Sequence, residues 1–158
     1  LEPLAVAKTL SKIIEKENPD LVLLGKQAID DDSNQTGQIL SALLNWPQAC
    51  FISDLKIEGN KLFLSREIDE GIEKLETNLP AVLTCDLRLN TPRFASLPNI
   101  MKAKKKPLDI IDISTLGIDT NPKIKVLKVE EPPKRKAGIM VNDVKELVEK
   151  LKYEAKVI

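Results

Sequence analysis

The sequence contains no histidine, only two cysteines, and 3% aromatic residues. Without histidine, the chain lacks the side chain that most often serves as a general base or a metal ligand. Cys50 and Cys85 have neither metal-ligand nor redox-motif spacing, so we expect two reduced thiols in core positions. No nucleophile–base set is readable either. We therefore predict no metal site and no bond chemistry performed by this chain itself.

Excess charge and long apolar runs are also missing. Lys plus Arg and Asp plus Glu each number 24, which gives no overall attraction to nucleic acid or to an anionic membrane. No apolar run approaches the ~20 residues that cross a bilayer. We expect neither a nucleic-acid partner nor direct membrane insertion. What is present, 42% hydrophobic and 30% charged residues over 158 positions, is typical of a globular domain.

The first half of the chain has the pattern of an α/β protein. Apolar residues at helical spacing predict a helix from about Pro3 to Glu17, stopped by Asn18 and Pro19. The continuously apolar Leu21 to Leu24 predict a fully buried parallel strand, and a second helix is expected to begin near Asn34. This order predicts a doubly wound, mostly parallel, Rossmann-like sheet. Because no strand precedes the first helix, we expect a piece of a longer protein that lacks N-terminal strands.

A β-meander follows. Alternating residues over 51–58 and 61–68, joined at Gly59-Asn60, predict a hairpin. A turn at 69–71 leads into a further strand over 72–79, and the apolar segment 81–85 predicts another buried strand.

The last third contains little regular structure. A short amphipathic helix is expected at Leu97, with Ser96 or Asn99 as its cap and Pro98 in its first turn. Residues 108–137 predict an extended arm, and a final helix spans about 142–153. We divide the chain into a nucleotide-binding α/β domain, residues 1–107, which includes a partner-recognition loop at 85–107. The arm, residues 108–158, is expected to dock on a partner subunit.

The segment from Leu21 to Gly37 is the strongest candidate for a binding site. A strand, a polar loop and a helix start are how α/β proteins offer free backbone N–H groups to a phosphate. An ordinary strand-to-helix connection with polar caps explains the residues equally well. Composition and spacing leave both interpretations open.

Three segments, in matching order and spacing, resemble the β subunit of electron transfer flavoproteins. The first is the loop from Gly25 to Thr36. The second is Arg66-Glu-Ile-Asp-Glu-Gly-Ile-Glu followed by Leu79-Pro-Ala-Val-Leu-Thr84, and the third runs from Asp86 to Lys106. Together with Pro-Pro-Lys-Arg-Lys-Ala-Gly at 132–138, the resemblance covers essentially the whole chain. It corresponds to the C-terminal part of that subunit.

The resemblance implies a heterodimeric electron carrier rather than an enzyme. In that family the α subunit holds a redox-active FAD and the β subunit a structural AMP. Electrons pass from acyl-CoA dehydrogenases and related flavoenzymes to a membrane quinone oxidoreductase. The implied location is the mitochondrial matrix, or alternatively the bacterial cytoplasm.

The resemblance also implies which residues hold AMP. They form one continuous loop: Gly25, Lys26, Gln27, Ala28, Ile29, Asp30, Asp31, Asp32, Ser33, Asn34, Gln35 and Thr36. Electron-bifurcating members place a second FAD here and carry a different loop, so the residues from Asp31 to Thr36 favour AMP. The three aspartates would repel a phosphate, and we expect most of them to face outward or to contact ribose and backbone donors.

Partner contacts are implied by position as well. Glu67 falls at the position that orients the FAD domain for electron transfer, although composition alone makes it one exposed carboxylate among many. Leu97 falls at the anchor position for the dehydrogenase, with the neighbouring partner-binding residues Pro98, Ile100 and Met101. The alternative for Leu97 is packing on its own domain.

A basic cluster follows this short helix, at Lys102, Lys104, Lys105 and Lys106. By itself it could be a solvated patch or a weak nucleic-acid site. Beside a docking segment, we expect it to steer an acidic partner surface. Lys102 and Lys105 align with positions that are methylated in eukaryotic members, and methylation keeps charge but limits hydrogen bonding.

Two alternatives to an electron carrier stay open at the level of sequence. One is a stand-alone adenine-nucleotide-binding module without a redox partner. The other is a basic RNA-binding module, which predicts strongly salt-dependent RNA binding.

Overall fold

The computed structural model describes residues 1–135 and 137–158; Lys136, within the predicted 132–138 segment of the arm, lies outside them. The chain forms two units, Leu1–Ile124 and Lys125–Ile158. The first unit contains α1 (Pro3–Glu17), β1 (Leu21–Gly25), α2 (Thr36–Leu44), β2 (Gln48–Glu58), β3 (Lys61–Ile68), β4 (Gly71–Asn78), β5 (Ala81–Cys85), α3 (Leu97–Ala103) and a 3₁₀ turn (Ile113–Leu116). The second contains α4 (Val144–Glu149), which continues as a π-helical turn (Lys150–Glu154).

The five strands form one mixed sheet in the order β1-β5-β2-β3-β4. β5 pairs in parallel with β1 and β2, whereas β3 pairs antiparallel with β2 and β4. The predicted α/β fold and β-meander are confirmed. The sheet is half antiparallel rather than mostly parallel, because the chain reverses at Gly59 and Gly71, whose φ angles of 60° and 135° favour glycine.

The core has one cluster on each face of β5. Ala7, Ile14 and Leu40 of the helices pack with Val82. On the opposite face Leu83 packs with a second cluster from β2 and β3. α1 and α2 therefore lie on the same face of the sheet, whereas double winding places helices on both faces.

The ends of the elements follow from local backbone preferences. α1 ends at Asn18, whose left-handed φ of 46° stops the helix as predicted. α2 begins at Thr36 rather than near Asn34, because Asn34 has a left-handed φ of 51°. The predicted burial of β1 is wrong in part: Leu23 is half exposed, since β1 is an edge strand of the described sheet.

The short C-terminal helices differ slightly from expectation. Ser96 occupies the N-cap position of α3 and Pro98 its first turn, but no side chain makes the expected cap hydrogen bond. α4 starts two residues after Asn142, because the Asp143 carboxylate caps it by accepting from the Glu146 N–H at 2.8 Å. The described part of the chain has no helix long and apolar enough to cross a membrane.

Glu2 binds the part of the arm that lies at the end of the first unit. The Glu2 carboxylate accepts hydrogen bonds from the backbone N–H groups of Lys123 and Ile124, each at 2.8 Å. These bonds lower the pKa of Glu2. The boundary predicted from the sequence lies between residues 107 and 108, where the α/β domain meets the arm expected to dock on a partner. That boundary stays a prediction.

Candidate functional site

The candidate site lies where β1 and β5 end. The two strands are parallel with Gly25 opposite Cys85, so their carboxyl ends meet at one edge of the sheet. The Lys26 N–H donates to the Cys85 carbonyl at 3.0 Å, which continues the pairing one residue past β1. Ligands in open α/β sheets bind at such an edge.

A cavity of about 280 Å³ opens between the loop after β1 and the start of α2. Its walls are Leu24, Gly25, Lys26, Gln27, Ala28, Asp31, Ser33, Asn34, Gln35, Thr36 and Gly37. Of the residues predicted to hold AMP, Ile29, Asp30 and Asp32 are not part of these walls. Ile29 is fully exposed. The structure thus gathers most of the predicted loop residues around one space.

Hydrogen bonds within the loop occupy two of its carboxylates. The Asp31 carboxylate accepts from the Ser33 N–H at 3.1 Å. The Gln27 amide donates to the Asp32 carboxylate, and the Asp32 N–H donates to the Ala28 carbonyl at 3.2 Å. Asp32 has a left-handed φ of 54°, a conformation in which Asp is enriched. These bonds fix the loop and give two of its negative charges local donors.

The start of α2 is electrostatically suited to an anion. Its first turn carries no acidic residue, and Gln35 at the N-cap makes no side-chain cap hydrogen bond. The first backbone N–H groups of a helix have no partner inside it and carry the positive end of the helix dipole. An anion facing Gln35 and Thr36 would satisfy them.

Gly37 lets α2 approach β5. A Cβ added at Gly37 would lie 2.5 Å from Cγ2 of Thr84. The Thr84 hydroxyl accepts a hydrogen bond from the Phe51 N–H at 3.0 Å. Phe51 has a positive φ of 63° at an irregularity in β2, so Thr84 links the helix start to a strained strand position.

Asp86 immediately follows β5, and its ion pairs connect the loop to a network of charged side chains. Its side chain is only 5% exposed and accepts hydrogen bonds from Arg88 Nε at 2.9 Å and Lys26 Nζ at 3.3 Å. The Arg88 side chain, followed by the Arg88 backbone N–H, lowers the pKa of Asp86 from 3.8 to about 2. Lys26 also lies 5.3 Å from the centre of the Phe51 ring.

Glu67 lies near the end of β3 and joins this network, because its carboxylate is ion-paired with Arg88. The Asp86 hydrogen bond is the main cause that raises the pKa of Arg88. Asp86 and Arg88 fall within the predicted recognition loop 85–107, but the sequence indicated no role of its own for either residue. The available signal was a carboxylate directly after a buried parallel strand, at the same edge as Gly25.

The partner-binding residues predicted on α3 are exposed. Leu97 is 71% exposed, and Ile100 and Met101 are roughly half exposed. Leu97 is therefore not packed against the described residues, and its role as an anchor stays a prediction. Pro98, Lys102 and Lys105 are exposed as well.

Two further predictions concern the cysteines and a metal site. Cys50 and Cys85 are free and half-buried rather than fully in the core, and burial raises the pKa of the Cys85 thiol. Among residues 1–135 and 137–158, no group of three or more His, Cys, Asp or Glu is placed to hold a metal ion.

Comparison with known proteins identifies the family. The sequence model of the electron transfer flavoprotein domain matches residues 1–116. Electron transfer flavoprotein subunit beta of Bradyrhizobium diazoefficiens is 57% identical over 158 residues, which cover 100% of this chain and 64% of the relative. The human subunit beta is 57% identical over 152 residues, covering 96% of this chain and 60% of the relative.

A plant relative, the mitochondrial electron transfer flavoprotein subunit beta of Arabidopsis thaliana, is 54% identical over 158 residues, covering 99% of this chain and 63% of the relative. The chain therefore spans about three fifths of the length of these curated relatives, which come from bacterial and eukaryotic sources. The family match covers residues 1–116, and the similarity to these relatives covers nearly the whole of this chain. The chain belongs to the electron transfer flavoprotein family and is similar to its β subunits.

Proposed function

We propose that this chain is part of the β subunit of a heterodimeric electron transfer flavoprotein, which carries electrons and performs no bond chemistry of its own. FAD is held mainly by the α subunit and accepts electrons from acyl-CoA dehydrogenases and related flavoenzymes. The reduced carrier passes them to a membrane quinone oxidoreductase. The proposed location is the mitochondrial matrix, with the bacterial cytoplasm as the alternative, since relatives come from both kinds of organism.

The observation that carries this proposal is the cavity between the end of β1, the loop after it and the start of α2. Its volume of about 280 Å³ is close to the lower end of the roughly 300–1,000 Å³ typical of ligand sites. A Cβ added at Gly25 meets no protein atom within 4 Å, so the wall leaves room for a ligand there. These features support AMP as a structural ligand.

AMP is proposed to bind with its phosphate at the start of α2. The backbone N–H groups near Asn34, Gln35 and Thr36, together with the Thr36 hydroxyl, would hold the phosphate. Lys26 is ion-paired with Asp86 and lies over the ring of Phe51. It would add positive charge from the side of the loop. The bound nucleotide holds the loop against the sheet and takes no part in electron transfer.

Docking on the α subunit is assigned to the arm. In the second unit several large apolar side chains are exposed, among them Leu127, Val129 and Met140. Contiguous exposed apolar side chains mark interaction sites. This supports an arm that packs against the α subunit.

Docking of the dehydrogenase is assigned to α3. Leu97 would enter a pocket of the dehydrogenase, with Pro98, Ile100 and Met101 around it. The adjacent lysines would speed association with an acidic surface, and methylation of Lys102 and Lys105 would weaken their hydrogen bonding.

Glu67 is proposed to pair with a guanidinium of the mobile FAD domain and to orient it for electron transfer. Such an exposed pair is worth only ~0–1 kcal/mol, which suits a reversible contact. The test is the rate of electron transfer from a reduced acyl-CoA dehydrogenase to the FAD of the heterodimer. Glu67→Ala should slow transfer while leaving heterodimer formation nearly intact. The control is Glu70→Ala, an exposed carboxylate in the turn before β4. An unchanged rate in Glu67→Ala would reject the role of Glu67.

A further inference from the structure

The Glu67 carboxylate already has a partner within its own chain. It is ion-paired with Arg88, and Arg88 is in turn bound by the nearly buried carboxylate of Asp86. We propose that Arg88 is a positioning residue for Glu67, fixed in place by Asp86. This inference rests on the proposed function, because it assigns the intramolecular support of the carboxylate that meets the FAD domain.

Asp86 is held in place by hydrogen bonds of both its side chain and its backbone. Oδ1 of Asp86 accepts from both Nε and the backbone N–H of Arg88, at 2.9 and 3.1 Å. The backbone of Asp86 is tied as well, since its N–H donates to the Ile52 carbonyl at 2.9 Å and its carbonyl accepts from the Leu89 N–H at 3.1 Å. Lys26 holds the second carboxylate oxygen. These bonds therefore hold the guanidinium of Arg88 in a fixed position beside Glu67.

The Glu67 end remains accessible. The side chains of Glu67 and Arg88 are 47% and 52% exposed. Arg88 contacts only Oε2 of Glu67, and within residues 1–135 and 137–158 the other oxygen, Oε1, makes no hydrogen bond. Arg88 can thus hold the carboxylate in one orientation while Oε1 stays available to a second cation.

This arrangement explains why a flexible side chain can act as a specific contact. A glutamate on a strand end has several rotamers, and ordering it on binding costs conformational entropy. Pairing with Arg88 restricts those rotamers before the FAD domain arrives. The partner guanidinium then meets a preoriented carboxylate.

A double-mutant cycle on the reconstituted heterodimer tests the proposal. The rate constant of electron transfer from a reduced acyl-CoA dehydrogenase is measured for Arg88→Gln, Glu67→Ala and the double variant. We expect Arg88→Gln to slow transfer roughly three- to tenfold, which is the cost of ordering one such side chain. In the Glu67→Ala background Arg88→Gln should have no further effect. Arg88→Lys should restore part of the rate.

The matched control is Arg66→Gln. Arg66 immediately precedes Glu67, but it is ion-paired with Glu73 across β3 and β4. The same substitution there should leave the rate unchanged. Arg88 lies within the predicted recognition loop 85–107, so the rate constant is measured at saturating dehydrogenase, where a change in docking affinity does not alter it.

Other outcomes separate the two proposals. If Glu67→Ala slows transfer but Arg88→Gln does not, or if their effects simply multiply, the positioning role of Arg88 is wrong and the role of Glu67 stands. If Glu67→Ala has no effect, both roles are wrong. Asp86→Asn should lower the rate in the same direction as Arg88→Gln. Because Arg88 is half exposed, Arg88→Gln tests the proposal even if Asp86→Asn fails to fold.

Discussion

Gly37 and Thr84 lie so close that a Cβ on residue 37 would come within 2.5 Å of the Thr84 methyl group. This contact sets the distance between the first turn of α2 and strand β5. Because the first turn of α2 forms one wall of the cavity, the packing of a helix on a sheet also determines the shape of the candidate nucleotide site.

Gly37→Ala should therefore displace the start of α2. Overpacking of this kind destabilises a fold by about 1–3 kcal/mol. Replacing a glycine by alanine inside a helix stabilises it by only ~0.5–1 kcal/mol, so the net effect should be destabilising. We expect a lower free energy of unfolding and loss of bound nucleotide, measured by denaturant titration and by nucleotide extraction. Thr84→Ser in the same background removes the clashing methyl group, keeps the hydroxyl, and should restore both.

Gly25→Ala is the matched control for that substitution. A Cβ at Gly25 meets no protein atom within 4 Å, so the free energy of unfolding should be nearly unchanged. If Gly25→Ala destabilises the fold as much as Gly37→Ala, the contact between Gly37 and Thr84 is not the cause.

Stability should depend on pH through Asp86. Its pKa is lowered on folding from 3.8 to about 2, mainly by the Arg88 side chain, so the native state favours the ionised form. The stabilisation is complete above the unfolded pKa and is lost as the pH falls from about 4 towards 2. Thermal unfolding midpoints of wild type and Asp86→Asn, compared between pH 6 and pH 2.5, measure this contribution.

We expect Asp86→Asn to be less stable at pH 6 and the difference to shrink towards pH 2.5. The comparison isolates Asp86 because the other carboxylates with lowered pKa values, such as Glu2 and Asp112, are present in both proteins. A difference that stays constant over this range would show that the Asp86 charge does not contribute.

Leu97→Ala should weaken binding of the dehydrogenase. Burial of a leucine contributes roughly 1.5–3 kcal/mol, so the dissociation constant should rise roughly tenfold to hundredfold. Calorimetry or surface-based binding of the heterodimer to the dehydrogenase measures it. Ile57→Ala is the control, because Ile57 is also an exposed apolar side chain but lies on β2, outside residues 85–107. Unchanged affinity in Leu97→Ala would reject the anchor role.

Much of the fold could be predicted because its signals are local. α1 is bounded by Pro3 and by the left-handed Asn18, and β5 is a short apolar run after Pro80. The hairpin of β2 and β3 is fixed by alternation and by the turn at Gly59. The exposure of Leu23 on β1 was missed because a strand's position in the sheet depends on distant pairing.

The site was predictable in outline and missed in its connections. The loop from Gly25 to Thr36 is continuous in sequence. The pattern of strand, loop and helix start indicated it as one of two open interpretations, and the family resemblance supplied its bounds. The Lys26–Asp86 and Glu67–Arg88 pairs form only when β5 lies between β1 and β2. The spacing of residues along the sequence does not predict that strand order. Composition does not predict which charged side chains then meet across the sheet.

The proposed electron carrier has its redox flavin mainly in a partner subunit. Native mass spectrometry of the purified complex, with its visible absorbance, tests this proposal most directly. We expect a heterodimer that contains one FAD and one AMP, with AMP lost in Gly37→Ala and FAD retained. A single subunit that binds adenine nucleotide without any flavin partner would contradict it.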